Sequence, residues 1–242
     1  MSLNIVVPMA GAGSRFAKEG YANPKPFIDV FGKPMIFHVI DNIAIPGAKY
    51  FFICQKEHLK NFGDTFIEHI NERGFIKDFQ IITIDGMTEG AACTVLRCEP
   101  FINNNDELLI VNGDQLLGAG DINKSLLFFE RNNSDGGIIC FFNKSIKWSY
   151  VEINDARTIT KVEEKRAISD HATVGVYYYK KGSDFVDSAT RMIEKNDRVN
   201  GEFYICPVYN YMILEDKTIS PYFINEMNAL GTPEDLKRFL LK

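Results

Sequence analysis

The chain has one tryptophan, four histidines and five cysteines in 242 residues. No two cysteines stand in a CxxC pair, and the odd count argues against a disulfide framework; Cys54, Cys93, Cys98, Cys140 and Cys206 read as reduced thiols of a cytoplasmic protein. None of the histidines has metal-ligand spacing, and His38 lies in an apolar helical stretch, so structural roles are expected for them. No apolar run approaches membrane length, and nothing ahead of the first strand reads as a signal peptide; no membrane partner is expected. Basic clusters are also missing. With a net charge of -5, the chain has no general nucleic-acid surface, although a few converging cations would still suffice to hold phosphates. There is no internal repeat, low-complexity stretch or linker, and 45% hydrophobic residues can build a sizeable core, so a single domain over 1–242 is expected. The sequence leaves open a homo-oligomer.

What is present is an alternation of short β-branched runs and helical spacings. Strands are expected at 4–9, 50–54, 79–84 and 107–111, with helices at 34–45, 56–73 and 91–97 between them and a loop-rich stretch at 10–32. That order predicts an α/β fold, a Rossmann-like, mostly parallel sheet flanked by helices. Loops 10–15, 85–90 and 112–114 each follow a strand and should open on one edge, where such sheets bind ligands. Beyond 127 the pattern turns to strands at 138–142, 150–153, 159–162 and 173–179, an antiparallel extension or lid. Helices at 183–194 and 203–214, a strand at 218–223, and a final helix at 232–241 capped by Thr232 complete the expectation.

The loop PMAGAGSRF holds the first chemical signal. A dinucleotide fingerprint needs a third glycine where Phe16 stands, and a Walker loop needs a lysine that Gly13, Ser14 and Arg15 do not supply. A plain tight turn remains for the loop alone. Glycines also let backbone amides approach phosphate oxygens, Arg15 adds a permanently charged fork, and Lys25 is stiffened between Pro24 and Pro26. A turn has no need of that second, rigidly mounted cation.

The run G-x-G-[ST]-R, then P-K, then GKPMI resembles the nucleotidyltransferases that make sugar nucleotides from a nucleoside triphosphate and a sugar phosphate. NGDQ at 112–115, VEEK at 162–165, TVGVYYYKKG at 173–182, NGEFYICPVYN at 200–210 and LGTPEDL at 230–236 extend the likeness over essentially the whole chain. The resemblance implies attack by a phosphate oxygen on the α-phosphorus, with pyrophosphate leaving. The nucleophile is already an anion, so no general base is needed, and no Ser-His-Asp or Cys-His set is evident.

It also implies the site. Ala10, Gly11, Ala12, Gly13 and Ser14 would bind the triphosphate, Arg15 would neutralise the departing pyrophosphate, and Lys25 would bridge the α-phosphate and the incoming phosphate. Asp114 would ligate magnesium, with Asn112 and Gly113 near the ribose. Glu89 and Gly90 would read the base, with a lean toward cytosine among the pyrimidines, although a glutamate at a helix start also suits the dipole. Glu164, Lys165, Gly175, Glu202 and Tyr204 would hold the phosphorylated acceptor. Trp148 and Tyr177 to Tyr179 read as core or lid packing, and Lys33 as solvated.

One position departs from the family pattern: Ala229 stands where a second aspartate is expected, leaving Glu226 or Asn228 as substitutes. The product would feed a capsule, lipopolysaccharide or other surface glycan. A cytidylyltransferase acting on a non-sugar phosphate such as phosphocholine, and a nucleotide-binding regulator without turnover, stay open. A glycosyltransferase is disfavoured by the lack of an Asp-x-Asp motif. No second, β-helical acyltransferase unit is expected within these 242 residues.

Overall fold

A computed structural model describes residues 2–242. The chain opens on β1 (Leu3–Pro8), passes through the glycine loop into α1 (Ser14–Lys18), and forms a small hairpin of β2 (Asp29–Val30) and β3 (Lys33–Pro34) before α2 (Met35–Ile43). Then follow β4 (Lys49–Gln55), α3 (Lys56–Glu72), β5 (Asp78–Ile84), α4 (Ala91–Val95), α5 (Glu99–Ile102), β6 (Glu107–Val111), β7 (Gln115–Leu117) and α6 (Asp121–Arg131). The second half contributes β8 (Gly136–Phe142), β9 (Ser149–Ile153), β10 (Ile159–Glu164), β11 (His171–Tyr179), α7 (Gly182–Glu194), α8 (Val208–Ile213), β12 (Ile219–Phe223), β13 (Met227–Ala229) and α9 (Pro233–Leu240).

Among the described residues the main sheet has nine strands, with β6, β1, β4 and β5 side by side and parallel. β11 joins β6 antiparallel and carries β8 and the β9–β10 hairpin, and β12 lies parallel to β8. The antiparallel extension expected from sequence is therefore present. Because β1, β5 and β6 run the same way, the loops that follow them open on one edge of the sheet.

Alternate residues feed two cores. Val6, Leu108, Ile110, Tyr177 and Tyr179 face α4, α5, α7 and α8, whereas Ile5, Val7, Leu109, Val111 and Tyr178 face α2, α3 and α6. A third, smaller cluster joins Phe16 of α1 and Val30 of the hairpin to Leu230 and to Leu236 of α9. Full burial of a phenylalanine such as Phe16, 1% exposed, contributes about 1.5–3 kcal/mol, enough to anchor a short helix of five residues.

Several elements differ from the sequence expectations: the short α1, β2, α5, β7 and β13 were not foreseen, and two longer segments differ for nameable reasons. α6 was not foreseen: its buried contacts Ile122 and Phe129 are obscured by the contiguous Leu126, Leu127 and Phe128, and Gly120 offers no side-chain cap. The helix expected at 203–214 begins only at Val208. Pro207 disfavours helical backbone at Cys206, and Phe203 is held extended, its N–H donating to the Glu89 carbonyl at 2.9 Å and its carbonyl accepting from the Ala92 N–H at 3.0 Å. The residue that permits this crossing is Gly90, at φ +136°, where a Cβ would lie 2.4 Å from the Phe203 carbonyl oxygen. Gly90→Ala should destabilise the protein by about 1–3 kcal/mol in urea unfolding, since the obstacle is backbone. Gly11→Ala, with nothing within 4 Å of the new methyl, should stay within about 0.5 kcal/mol.

Candidate active site

The glycine loop is fastened at both sides. Gln55, ending β4, donates from Nε2 to the Ala10 carbonyl at 2.8 Å, and the Met9 N–H donates to the Ile53 carbonyl at 2.8 Å. Gly13 sits at φ +60°, and a Cβ there would come 2.9 Å from the Lys25 Cβ, so this glycine lets the Pro24-Lys25-Pro26 segment lie against the loop. Gly11, Ala12 and Ser14 are exposed. Arg15, on the first turn of α1, is exposed and makes no ion pair among the described residues, while the adjacent Phe16 is locked in the third core cluster.

Lys25 reaches across the sheet edge. Its Nζ lies 2.5 Å from Asp114 Oδ2, just past the end of β6. The Asp114 carbonyl accepts from the Leu230 N–H at 2.8 Å, and a Cβ on Gly231 would come 3.0 Å from Oδ2. Asp114 Oδ1 is buried without a hydrogen-bond partner. Next to it, the Asn112 N–H donates to the Gly175 carbonyl at 2.9 Å. Gly175, at φ +73°, has room for no side chain: a Cβ would fall 2.3 Å from Gln115 Oε1 and 2.5 Å from Asn112 Nδ2. Gly113 packs over Ile36 and Met9.

A cleft of about 500 Å³ opens from this point. Of the residues singled out in the sequence, Ser14, Arg15, Asn112, Asp114, Glu164, Lys165, Gly175, Glu202 and Tyr204 line it. At its far end Glu164 is buried and accepts a hydrogen bond from Ser149 Oγ. Burial pushes the Glu164 carboxyl above its ordinary value, opposed by the Ser149 hydrogen bond and the Lys165 charge. Lys165 bonds the Tyr204 hydroxyl and lies 4.3 Å from the centre of that ring.

Ala10, Gly11, Ala12, Gly13, Lys25, Glu89, Gly90 and Gly113 are not part of this lining. The Glu89 carboxylate is paired with Arg198 and lies outside the cleft lining, and Gly90 serves the crossing with Phe203; Ala91 is the residue of that segment that reaches the cleft. Neither Glu226 nor Asn228 is part of the lining that holds Asp114; Asn228 borders a neighbouring hollow. Ala229 faces Gln115 across the β7–β13 pair. Lys33 is not a free solvated lysine; it pairs with Asp41, which Arg73 also holds at 2.6 Å.

Sequence reasoning missed a strip of this wall: Lys147, Trp148, Ser149, Thr232 and Asp235. Trp148, read from sequence as packing, borders the cleft while its ring meets Phe141 edge-on. Lys147 Nζ lies 2.6 Å from Asp235 Oδ1. The available signal was the capping box T-x-x-D: Asp235 N–H donates to Thr232 Oγ1 at 3.1 Å and Thr232 Oγ1 donates to Asp235 Oδ2 at 2.9 Å, which fixes a carboxylate on the inner side of α9.

A family model described as nucleotidyl transferase matches residues 5–233. The chain belongs to that family. Among curated nucleotidyl transferase relatives, the bifunctional protein GlmU of Sulfurovum sp. (strain NBC37-1) is 26% identical over 254 residues, covering 98% of this chain and 52% of its own length. The chain thus spans about half the length of such GlmU relatives. The UTP–glucose-1-phosphate uridylyltransferase AglF of Haloferax volcanii is 25% identical over 251 residues, covering 96% of this chain and 93% of its own. In solved structures, the nucleoside-diphosphate-sugar pyrophosphorylase of Vibrio cholerae superposes with a TM-score of 0.82 at 24% identity, over 98% of this chain and 100% of that one. That likeness shows the fold that the family shares.

The burial of Glu164 has a measurable consequence. A carboxyl whose pKa is raised on folding binds its proton more tightly in the native state, so its ionisation weakens the fold as pH rises from the ordinary carboxylate range through the raised value. Glu164→Gln should flatten the pH dependence of stability in that window, read as unfolding midpoint against pH, and should be relatively most stabilised above it.

Proposed function

We propose that this protein joins a nucleoside triphosphate, a pyrimidine one, to a sugar phosphate or sugar-like phosphate and releases pyrophosphate, in the service of surface-glycan synthesis. The observation that carries this reading is the placement of two cations at one end of the cleft: Arg15 lines it and has no carboxylate partner among the described residues, and Lys25 lies behind the lining, its ammonium 2.5 Å from the cleft-lining Asp114. Relatives named as uridylyltransferases and cytidylyltransferases of glucose 1-phosphate support the pyrimidine and the sugar phosphate.

In this reading the amides of Gly11 to Ser14 meet the triphosphate and Arg15 offsets charge growing on the leaving pyrophosphate. Lys25 has three protons and gives one to Asp114, leaving others to draw the α-phosphate and the incoming phosphate together. No side chain need accept a proton, because the attacking phosphate oxygen is already ionised. Fixed cations in a partly enclosed cleft then stabilise the transition state electrostatically.

The residues present fit magnesium. Asp114 offers a buried, unpartnered oxygen, and no group of three His, Cys, Asp or Glu forms a cage among the described residues. One carboxylate completed by substrate oxygens and water is how magnesium is commonly held. A bound magnesium would supply charge neutralisation on the triphosphate. Glu164, Lys165, Glu202 and Tyr204 would hold the acceptor at the other end.

A thermal-shift panel with magnesium and CTP, UTP, dTTP, GTP or ATP tests the reading. One pyrimidine triphosphate should raise the midpoint of the wild type and not of Arg15→Ala. With that triphosphate and a sugar-phosphate set, pyrophosphate release should fall roughly 100-fold or more in Lys25→Ala. Absence of any shift and of any pyrophosphate release would reject it.

A further inference from the structure

Beyond the wall formed by Lys147, Trp148 and Asp235 lies a second cavity of about 320 Å³, and the two cavities share those residues together with Ala229. Its charge is one-sided. Lys147, Arg238 and Lys242 line it, and Asp235 supplies its one side-chain carboxylate. That is unusual in a protein whose acidic residues outnumber its basic ones, 32 to 27.

An ordinary account of basic residues at the end of α9 is compensation of the helix dipole. The neighbouring Lys237 shows what that account looks like: it turns outward and pairs with Glu19 at 2.8 Å. Arg238 is also exposed but borders the cavity, and among the described residues it has no ion pair or side-chain hydrogen bond. Lys242 reaches only a neutral partner, Asn228 Oδ1, at 2.6 Å. Lys147 is paired with Asp235, but its ammonium retains protons for another acceptor, and Asp235 is also held by Thr232. Phe141, Trp148 and Phe239 supply apolar walls. Such walls favour an anion carried on an organic skeleton over a freely hydrated ion, and they strengthen its attraction to the cations.

We propose that the phosphorylated acceptor of this protein carries a second anionic group, a carboxylate or a further phosphate, which passes the Lys147–Asp235 wall and is held by Lys147, Arg238 and Lys242. This rests on the function proposed above, and narrows the acceptor to doubly anionic compounds. The second group needs no part in the reaction. It would orient the acceptor and favour it over neutral-ended sugar phosphates through charge-assisted hydrogen bonds to the exposed cations.

Trp148, the sole tryptophan, borders both cavities and reports on them directly. The probes are glucose 1-phosphate and glucuronic acid 1-phosphate, which differ in one carboxylate at the end remote from the phosphate. Each is titrated against the full chain, with magnesium and a non-hydrolysable analogue of the triphosphate that stabilises it, and read by Trp148 fluorescence. The wild type should bind glucuronic acid 1-phosphate at least tenfold more tightly. In Arg238→Glu and in Lys242→Glu that ratio should fall below threefold, and Arg238→Lys should retain most of it. Equal affinity for the two probes, no saturable change with either, or a preference that survives both charge reversals would overturn the proposal. Triphosphate binding is read separately in the thermal shift, so a protein that binds triphosphate yet fails here rejects the second chamber alone.

Discussion

The ion pair of Lys25 with Asp114, 2.5 Å between Nζ and Oδ2, is the constraint on which the cleft depends. It joins the Pro24–Pro26 stretch, whose neighbour Phe27 is buried in a core cluster, to the turn that ends strand β6. Each partner is prepared for the meeting. Pro24 and Pro26 stiffen the lysine's backbone, and Gly13 removes the methyl that would hold it away. Gly231 does the same for the aspartate, whose carbonyl is pinned by Leu230. Both side chains are about one-fifth exposed, so the contact is neither a screened surface bridge nor a fully desolvated one. That intermediate state leaves the lysine's remaining protons and the other carboxylate oxygen available.

Around this pair the cleft has two ends of different chemistry. Near α1 the donors are cationic and accessible, with Arg15 unpaired. Toward β9 and β10 the polar groups are mutually bonded: Glu164 with Ser149, Lys165 with Tyr204, Lys147 with Asp235. A polyanion needs open cations that can be reached from water, whereas a polyhydroxylated or multiply charged acceptor needs donors fixed in direction before it arrives.

Much of this was legible in the sequence, for physical reasons that can be named. Buried parallel strands print as continuous β-branched runs, which is why β1, β4 and β6 could be read directly. Arg15 and Lys25 stood out because prolines and glycines fix backbone on their own, without tertiary help. Asp114 was marked by its place at the end of an apolar strand, and Gly175 by the resemblance to the family alone. What escaped was set by long-range packing. α6 hides its buried contacts beside a contiguous apolar run. Phe203 looks helical by spacing but is held by Glu89 and Ala92, more than a hundred positions earlier. Glu89 itself suggested a base-reading acceptor, and only the fold shows Arg198 occupying its carboxylate. The wall of Lys147, Trp148 and Asp235 joins two distant segments, and neither carries a local sign of the other.

The small third core has a consequence for how the molecule is made. Phe16 packs on Leu230 and Leu236, and Glu19 pairs with Lys237 across 218 positions of chain. The parallel half of the sheet can pair as soon as β6 is synthesised, but Arg15 is not seated until α9 closes over α1. During translation the folding intermediate therefore carries a sheet and a loose glycine loop, and no finished cleft. The part of the cleft wall that Asp235 contributes is therefore the last to form, and a chain that stalls before α9 leaves Phe16 and Val30 without the Leu236 side of their cluster.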